Sequence, residues 1–179
     1  MRLFVAVDVT DEVKGFIYEI RKEFNGSGAR INFVAKKNLH ITLKFLGNVD
    51  EKEIGKIKER LSAIKFRKFA LSLSHIGVFP DDGNLRVIWI GFIPEENVIE
   101  LQKSVDESLI GFGKQETRFA SHLTIGRIKS VKDKKSFLNT ISNINIKDIN
   151  FCVDNFTLYR SILTKDGPKY KALESYILE

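Results

Sequence analysis

The stretch Asn38-Leu39-His40-Ile41-Thr42-Leu43-Lys44-Phe45-Leu46-Gly47 decides how the rest of the chain is read. It alternates as a strand with one buried face does, and it ends at a glycine. His40 and Thr42 stand two residues apart, so an imidazole and a hydroxyl point to the same side of that strand. The pattern recurs in Arg118-Phe119-Ala120-Ser121-His122-Leu123-Thr124-Ile125. One His-x-Thr in a strand carries little information. Here the chain has 3 histidines, and two of them occupy the same place in the same motif.

Outward from these strands, the order of elements repeats. Leu3 to Val9 is apolar on both faces and reads as a central strand. A helix follows, capped by Thr10 or Asp11, with Val13, Phe16, Ile17, Ile20 and Phe24 at helical spacing and Gly26 as its stop. After the first histidine strand, Asp50 and Glu53 have capping-box spacing, and Ile54, Ile57, Leu61 and Ile64 form one apolar stripe. Phe69 to Phe79 is a strand, and Pro80-Asp81-Asp82-Gly83-Asn84 a turn. The second half runs through a strand from Leu85 to Phe92 and a helix with Val98, Leu101, Val105 and Leu109 on one face. The histidine strand comes next, then a helix capped by Ser130 with Asp133, then strands Ile149 to Val153 and Phe156 to Leu163. Lys165-Asp166-Gly167-Pro168 turns the chain into a last strand, Lys169 to Leu178.

Matching elements keep a nearly constant offset: 83 residues from Arg2 to Leu85, 82 from His40 to His122, 83 from Asp50 to Asp133. The expectation is an α+β fold with internally duplicated β-α-β-α-β halves, residues 1–80 and 84–163, followed by the C-terminal hairpin strand. Approximate two-fold symmetry would bring the histidine strands face to face across a central cleft between two lobes lined by antiparallel sheets. No Gly/Ser-rich linker divides the halves, so residues 1–179 read as one bilobal domain.

Composition narrows the function classes. With 179 residues, 43% hydrophobic and 29% charged, the chain can bury a substantial core and is not a disordered segment. Cys152 is the single cysteine, which excludes an internal disulfide and a thiolate-rich metal site. Acids at Asp8, Asp11 and Glu12 break any signal-peptide pattern, and no run approaches a membrane span of about 20 apolar residues. The expectation is a soluble, cytoplasmic monomer. A net charge of +6 with a pI of 9.3 favours a polyanionic partner through long-range steering. The clusters Lys65, Arg67, Lys68 and Lys132, Lys134, Lys135 read as solvated faces.

Two facing His-x-Thr motifs supply what in-line phosphoryl displacement requires. One imidazole takes a proton from the attacking oxygen, the other gives one to the leaving oxygen, and the hydroxyls of Thr42 and Thr124 donate to the nonbridging oxygens. Histidine titrates near pH ~6.5, so one ring can be neutral while the other is protonated. His75 has no mate in the other half and continues the alternation of Phe69, Leu71 and Leu73, which makes it a core or cleft-edge histidine. Lys44 and Gly126 lie on the strict same-face continuation of the two motifs, and Lys44 is either a solvated cation or a phosphate contact. Arg86 and Tyr170 are weaker candidates, for tracking a polyanionic backbone and for packing the last strand.

The segments 38–47 and His122-Leu123-Thr124-Ile125-Gly126-Arg127 resemble the 2H phosphoesterases, and within them the 2′-5′ RNA ligase-like RNA 2′,3′-cyclic phosphodiesterases. The opening run Met1 to Asp8, the segments Gly77-Val78-Phe79-Pro80 and Arg86-Val87-Ile88-Trp89, and the tail Ser161 to Tyr170 extend the resemblance over nearly the whole chain. It implies a bilobal α+β fold, hydrolysis of RNA or nucleoside 2′,3′-cyclic phosphates to 2′-phosphates, no metal and no nucleotide cofactor. It also implies catalytic roles for His40 and His122, substrate contacts from Thr42 and Thr124, a base-stacking platform at Phe45 and a phosphate ligand at Arg127. The chain departs from the family at Phe33, where tryptophan is frequent, and at Ser121, where proline is. Phe45 and Arg127 each lie five residues beyond their histidine, an odd step that regular alternation sends to the opposite face, so some irregularity is required, with Gly47 and Gly126 as candidate places.

Two other functions use the same features. A reversible 2′-5′ RNA ligase would replace water by a 5′-hydroxyl in the same site, and a non-catalytic RNA-binding module would use only the basic and aromatic surface. The sequence has no Gly-x-x-x-x-Gly-Lys-Ser/Thr loop for an ATP-dependent ligase and no His-x-x-x-His set for a zinc hydrolase.

Overall fold

A computed structural model describes residues 1–81, 83–165 and 167–179. Asp82 and Asp166, within the two expected turns, lie outside the described residues. The strands are β1 (Arg2–Asp8), β2 (Ala29–Phe33), β3 (His40–Asn48), β4 (Phe69–Phe79), β5 (Val87–Ile93), β6 (Leu123–Val131), β7 (Asn150–Val153), β8 (Asn155–Thr164) and β9 (Gly167–Ile177). Between them lie the helices α1 (Asp11–Ile20), α2 (Ile54–Ser62), α3 (Glu96–Ser108) and α4 (Lys134–Asn143). The fold is α+β, and every strand pairing among the described residues is antiparallel.

Local chemistry accounts for most boundaries. Thr10 caps α1 by accepting the Val13 N–H, and the helix buries Val13, Phe16, Ile17 and Ile20. Arg21–Phe24 then tightens into a 3₁₀ turn that still buries Phe24. Asp50 caps a 3₁₀ turn, Glu51–Glu53, rather than α2 itself, which starts at Ile54. Asp133 alone caps α4, through the Ser136 N–H, while Ser130 belongs to β6. The second histidine strand begins at Leu123, so residues 118–122 are an irregular approach and not strand. One short strand, β2, was not expected from the sequence.

The strands join in the order β7-β4-β5-β6-β3-β1-β8-β9, with β2 pairing to β6. β4 pairs with β5 of the following half, and β8 returns to pair with β1. The outer strands are thus exchanged between halves. At the centre, β3 and β6 pair at Ile41↔Leu123, and beyond that point β2 takes over the edge of β6. One face of the sheet carries Val5, Val7, Ile41, Leu43, Ile88, Ile90, Leu123 and Ile125 into a single core with the buried residues of all four helices. The opposite face of the central strands is the cleft. No helix among the described residues is long and apolar enough to cross a membrane.

Lys44 is buried on the helix side of β3, where its ammonium pairs with Asp106 of α3 and donates to the Lys114 carbonyl at 3.1 Å. Both readings of Lys44 from the sequence, solvated cation and phosphate contact, are therefore corrected. The pair fastens α3 to the strand that carries His40. Removing one partner strands a charge in the core, so Asp106→Ala is expected to lower the unfolding free energy by about 3–5 kcal/mol. The double replacement Lys44→Met with Asp106→Leu should lose much less, and urea titrations of the two variants compare them.

Candidate active site

Ile41 and Leu123 face each other at 0% exposure, and the antiparallel register carries their neighbours with them. One step to either side, His40 lies opposite Thr124 and Thr42 opposite His122. All four side chains are half-buried and lie on the cleft face, away from the core. They form the corners of a small square, with imidazoles on one diagonal and hydroxyls on the other. Same-face diagonals in an antiparallel pair span roughly 7–8 Å, enough for one tetrahedral anion between the rings. Neither threonine hydroxyl has a side-chain hydrogen bond among the described residues, which leaves both to meet a ligand.

Both histidines are held the same way. Nδ1 of His40 donates to the Asn38 carbonyl at 2.7 Å, and Nδ1 of His122 to the Ala120 carbonyl at 2.8 Å. A carbonyl only accepts, so Nδ1 carries the hydrogen and Nε2 is the nitrogen left for chemistry. Burial pushes both imidazoles below the ordinary histidine value. At His40 the Asn38 carbonyl and the Asp8 carboxylate oppose that shift, while the charge of His122 adds to it; at His122 the Ala120 carbonyl opposes it.

The walls differ on the two sides. Around His40, Phe4 lies at 5.0 Å and Tyr170 stands edge-on at 5.3 Å, while Tyr159 stacks on Phe4 and donates its hydroxyl to Asp8. These residues line a small pocket. Burial raises the Tyr170 phenol, and the charges of Arg127 and Arg2 oppose the shift, so Arg127 is within electrostatic reach of this wall. Around His122, Phe79 lies perpendicular at 5.3 Å and Trp89 at 6.3 Å. Tyr170 therefore does more than pack the last strand. Asp8 and Tyr159 were missed by sequence reasoning; the alternation Phe4, Ala6, Asp8 was the available signal, but which strand pairs with β1 is not written in it.

Phe45 and Arg127 reach the cleft face through a shared irregularity. Ala6 pairs with Thr42 and Val5 with Lys44, so Leu43 is an extra residue in β3. Trp89 pairs with Thr124 and Ile88 with Gly126, so Ile125 is an extra residue in β6. Each bulge sits directly after its His-x-Thr and reverses the phase beyond it. Phe45 returns to the cleft face, 65% exposed and 6.2 Å from Phe4. Arg127 returns as an exposed side chain beside Val87. The rephasing residues are thus Leu43 and Ile125, not Gly47 or Gly126, and Lys44 and Gly126 leave the cleft face.

The remaining candidates fall outside the square. A register slip between Leu73 and Ile76 takes His75 out of the core phase, and it is exposed at the cleft edge, 5.1 Å from Trp89. Arg86 is exposed just before β5. Phe33 packs against Phe24 and under Arg21. Among the described residues no three His, Cys, Asp or Glu side chains gather as a metal site.

A family profile described as LigT-like phosphoesterase matches residues 7–89 and 92–170. The chain is 39% identical over 181 residues to an RNA 2′,3′-cyclic phosphodiesterase of Methanocaldococcus jannaschii, covering 98% of this chain and 100% of that one. It superposes on a crystal structure from Thermus thermophilus with a TM-score of 0.81 at 26% identity, covering 99% and 98% of the two chains. It also superposes on E. coli LigT complexed with 3′-AMP, with a TM-score of 0.77 at 26% identity over 99% and 96%.

The burial of both rings has a measurable consequence. In the free protein, both histidine Cε1 resonances are expected to titrate below about 6.5, and saturating inorganic phosphate should move both upward, because a bound anion favours imidazolium. Between the folded and unfolded pKa values the unfolded chain binds more protons, so stability is lost as pH falls through about 6.5. The loss should shrink in His40→Gln and His122→Gln. A ring titrating above about 6.5 in the free protein would contradict this account.

Proposed function

The chain belongs to the LigT-like phosphoesterase family, and from that membership we propose that it opens RNA and nucleoside 2′,3′-cyclic phosphates to 2′-phosphates, with His40 and His122 as its proton carriers. The observation that carries this reading is the antiparallel square of two imidazoles and two hydroxyls centred on Ile41↔Leu123. Its two-fold arrangement, together with the exchange of β4 and β8, also supports reading residues 1–80 and 84–163 as copies of one unit.

In a cyclic phosphate, phosphorus is held between O2′ and O3′, and water must enter opposite the oxygen that leaves. The imidazoles stand on opposite sides of the space for that phosphorus. Nε2 of His122 takes the proton of the attacking water, the P–O3′ bond breaks, and Nε2 of His40 protonates O3′ as it departs. The phosphate remains on O2′. Thr42 and Thr124 donate to the nonbridging oxygens, and these bonds tighten as negative charge accumulates there. Arg127 neutralises the phosphate, and Phe45, beside Phe4, offers a base an exposed ring to stack on. No step in this scheme calls on a metal or a nucleotide. The two imidazoles move both protons, and each has Nδ1 committed to a backbone carbonyl.

The same square serves the reverse sense, in which a 5′-hydroxyl replaces water and a 2′-5′ linkage forms. A binding-only role is disfavoured by the free Nε2 atoms and hydroxyls, which a non-catalytic module has no need to align.

His40→Ala and His122→Ala are each expected to lower kcat/KM by about 10²–10⁴-fold while leaving the fold intact. Thr42→Val and Thr124→Val should cost about 10²-fold, mainly in kcat. Near-normal turnover in either histidine variant would sink the assignment. Activity should survive EDTA, and recovery that depends on an added divalent ion would overturn the metal-free scheme. Phosphorus NMR of the product decides orientation, since a predominantly 3′-phosphate product means that the substrate sits reversed between the histidines.

A further inference from the structure

The square is two-fold in outline, but what stands beside it is not. By the offset of 83 residues that relates the halves, Asp8 of β1 corresponds to Gly91 of β5. The sheet gives them the same place. Asp8 pairs with His40, one step beyond Val7↔Ile41, and Gly91 lies one step beyond Ile90↔Leu123, on the side of His122. A carboxylate therefore stands by the first imidazole where bare backbone stands by the second. Position 91 has little room for a side chain, since a Cβ there would come to 3.3 Å from both the Trp89 and the His75 rings.

The ring that holds the carboxylate is one-sided too. Tyr159 pairs with Phe4, stacks on it at 5.2 Å, and donates its hydroxyl to Asp8. The matching place, beside Val87 at 83 residues after Phe4, belongs to Phe79, which has no hydroxyl to give. Burial and the Asp8 carboxylate push the Tyr159 phenol well above its ordinary value, so it stays a donor at every working pH. Asp8 is exposed at the end of β1, and without this bond its side chain would be free to turn into solvent. The other titratable and charged side chains around His40 are Lys37 in the same small pocket, Tyr170 of β9 with Arg2 and Arg127 acting on it, and His122 across the square. The cations among them favour a neutral His40, and among the described residues Asp8 is the one carboxylate lining its pocket. On the far side, His75, Glu95 and Glu96 line the space beside Phe79 and Trp89, while His122 itself responds to its burial and to the Ala120 carbonyl.

We propose that Asp8, held by Tyr159, is a positioning residue that fits His40 to be the acid of the pair, by keeping a negative charge where its imidazolium needs one. The inference rests on the two-histidine reaction given under the proposed function. That reaction asks two like motifs for opposite protonation states, and a carboxylate on one side only supplies the difference. Asp8 makes and breaks no bond itself and acts through His40. The active form has His40 protonated and His122 neutral. On the alkaline side of both titrations its population follows the proton affinity of His40, and on the acid side it follows that of His122 alone.

The test follows the histidine Cε1 resonances of the full chain, and its pH profile of kcat/KM on adenosine 2′,3′-cyclic phosphate. Asp8→Asn should lower the His40 midpoint by about 0.5–1 pH unit and leave that of His122 within about 0.3. It should cut kcat/KM about 3–10-fold on the alkaline limb of the profile and less than about twofold on the acid limb, with no rise in KM. Tyr159→Phe should act in the same direction by less, and Asp8→Glu should recover most of the loss. An unmoved His40 midpoint overturns the proposal. An equal loss on both limbs does so too, because a merely structural role has no such pH dependence. A gain on the acid limb with none lost on the alkaline limb would make His40 the base and overturn it as well. Should Asp8→Asn fail to fold, Tyr159→Phe is read by the same criteria. Absence of hydrolysis in the unmodified protein, with the His40 midpoint moving as expected, would instead condemn the parent reading, so the two failures are told apart.

Discussion

The site depends on one strand pairing. Ile41 and Leu123 meet with no exposure to solvent at the point where the two histidine strands touch, and the strands part company immediately afterwards. Burying two such side chains stabilises the contact by about 1.5–3 kcal/mol each. A one-residue slip of either strand would put its imidazole into the core and its aliphatic into the cleft. The hydrophobic effect therefore sets the positions of the polar groups: the cleft face is fixed by what its back must bury.

A bulge after each motif extends that constraint. Leu43 and Ile125 break the alternation at equivalent places, so the side chains beyond them exchange faces. Without the break, Lys44 would stand in the cleft and Phe45 in the core. With it, the ammonium reaches Asp106 on the helix side and the ring reaches the cleft. The same displacement thus anchors a helix and furnishes an aromatic wall of the cleft.

Much of this was legible in the sequence because it is periodic. The two His-x-Thr steps, the apolar stripes of the helices and the strand Phe69 to Phe79 follow from spacing alone, and all four corners of the square were named from it. β2 was also written, as Ala29, Ile31 and Phe33 alternating with Arg30 and Asn32, but five residues with no fully buried side chain make a faint signal. The bulges were needed but not placed: nothing in a leucine or an isoleucine announces an extra residue, and register belongs to pairs of strands. For the same reason Asp8, which reaches His40 from β1, and Tyr159, which holds Asp8 from β8, emerged only in three dimensions, as did the choice of cleft edge over core for His75. Residues 118–122 read as strand because Phe119 and Ser121 continue the alternation, yet pairing begins at Leu123.

The exchanged strands bear on how the protein is made. β1 leaves the ribosome long before β8, its outer neighbour in the sheet. Until residue 164 has been synthesised, the edge of β1 has no partner, and Leu3, Val5 and Val7 wait beside open backbone donors and acceptors. Native structure in the N-terminal half must therefore wait until β8 has been made and has reached that edge. Loop closure over about 150 residues makes that search slow relative to local helix formation. The nascent chain is exposed to aggregation during this interval, and its folding yield depends on how well the cell shields that edge.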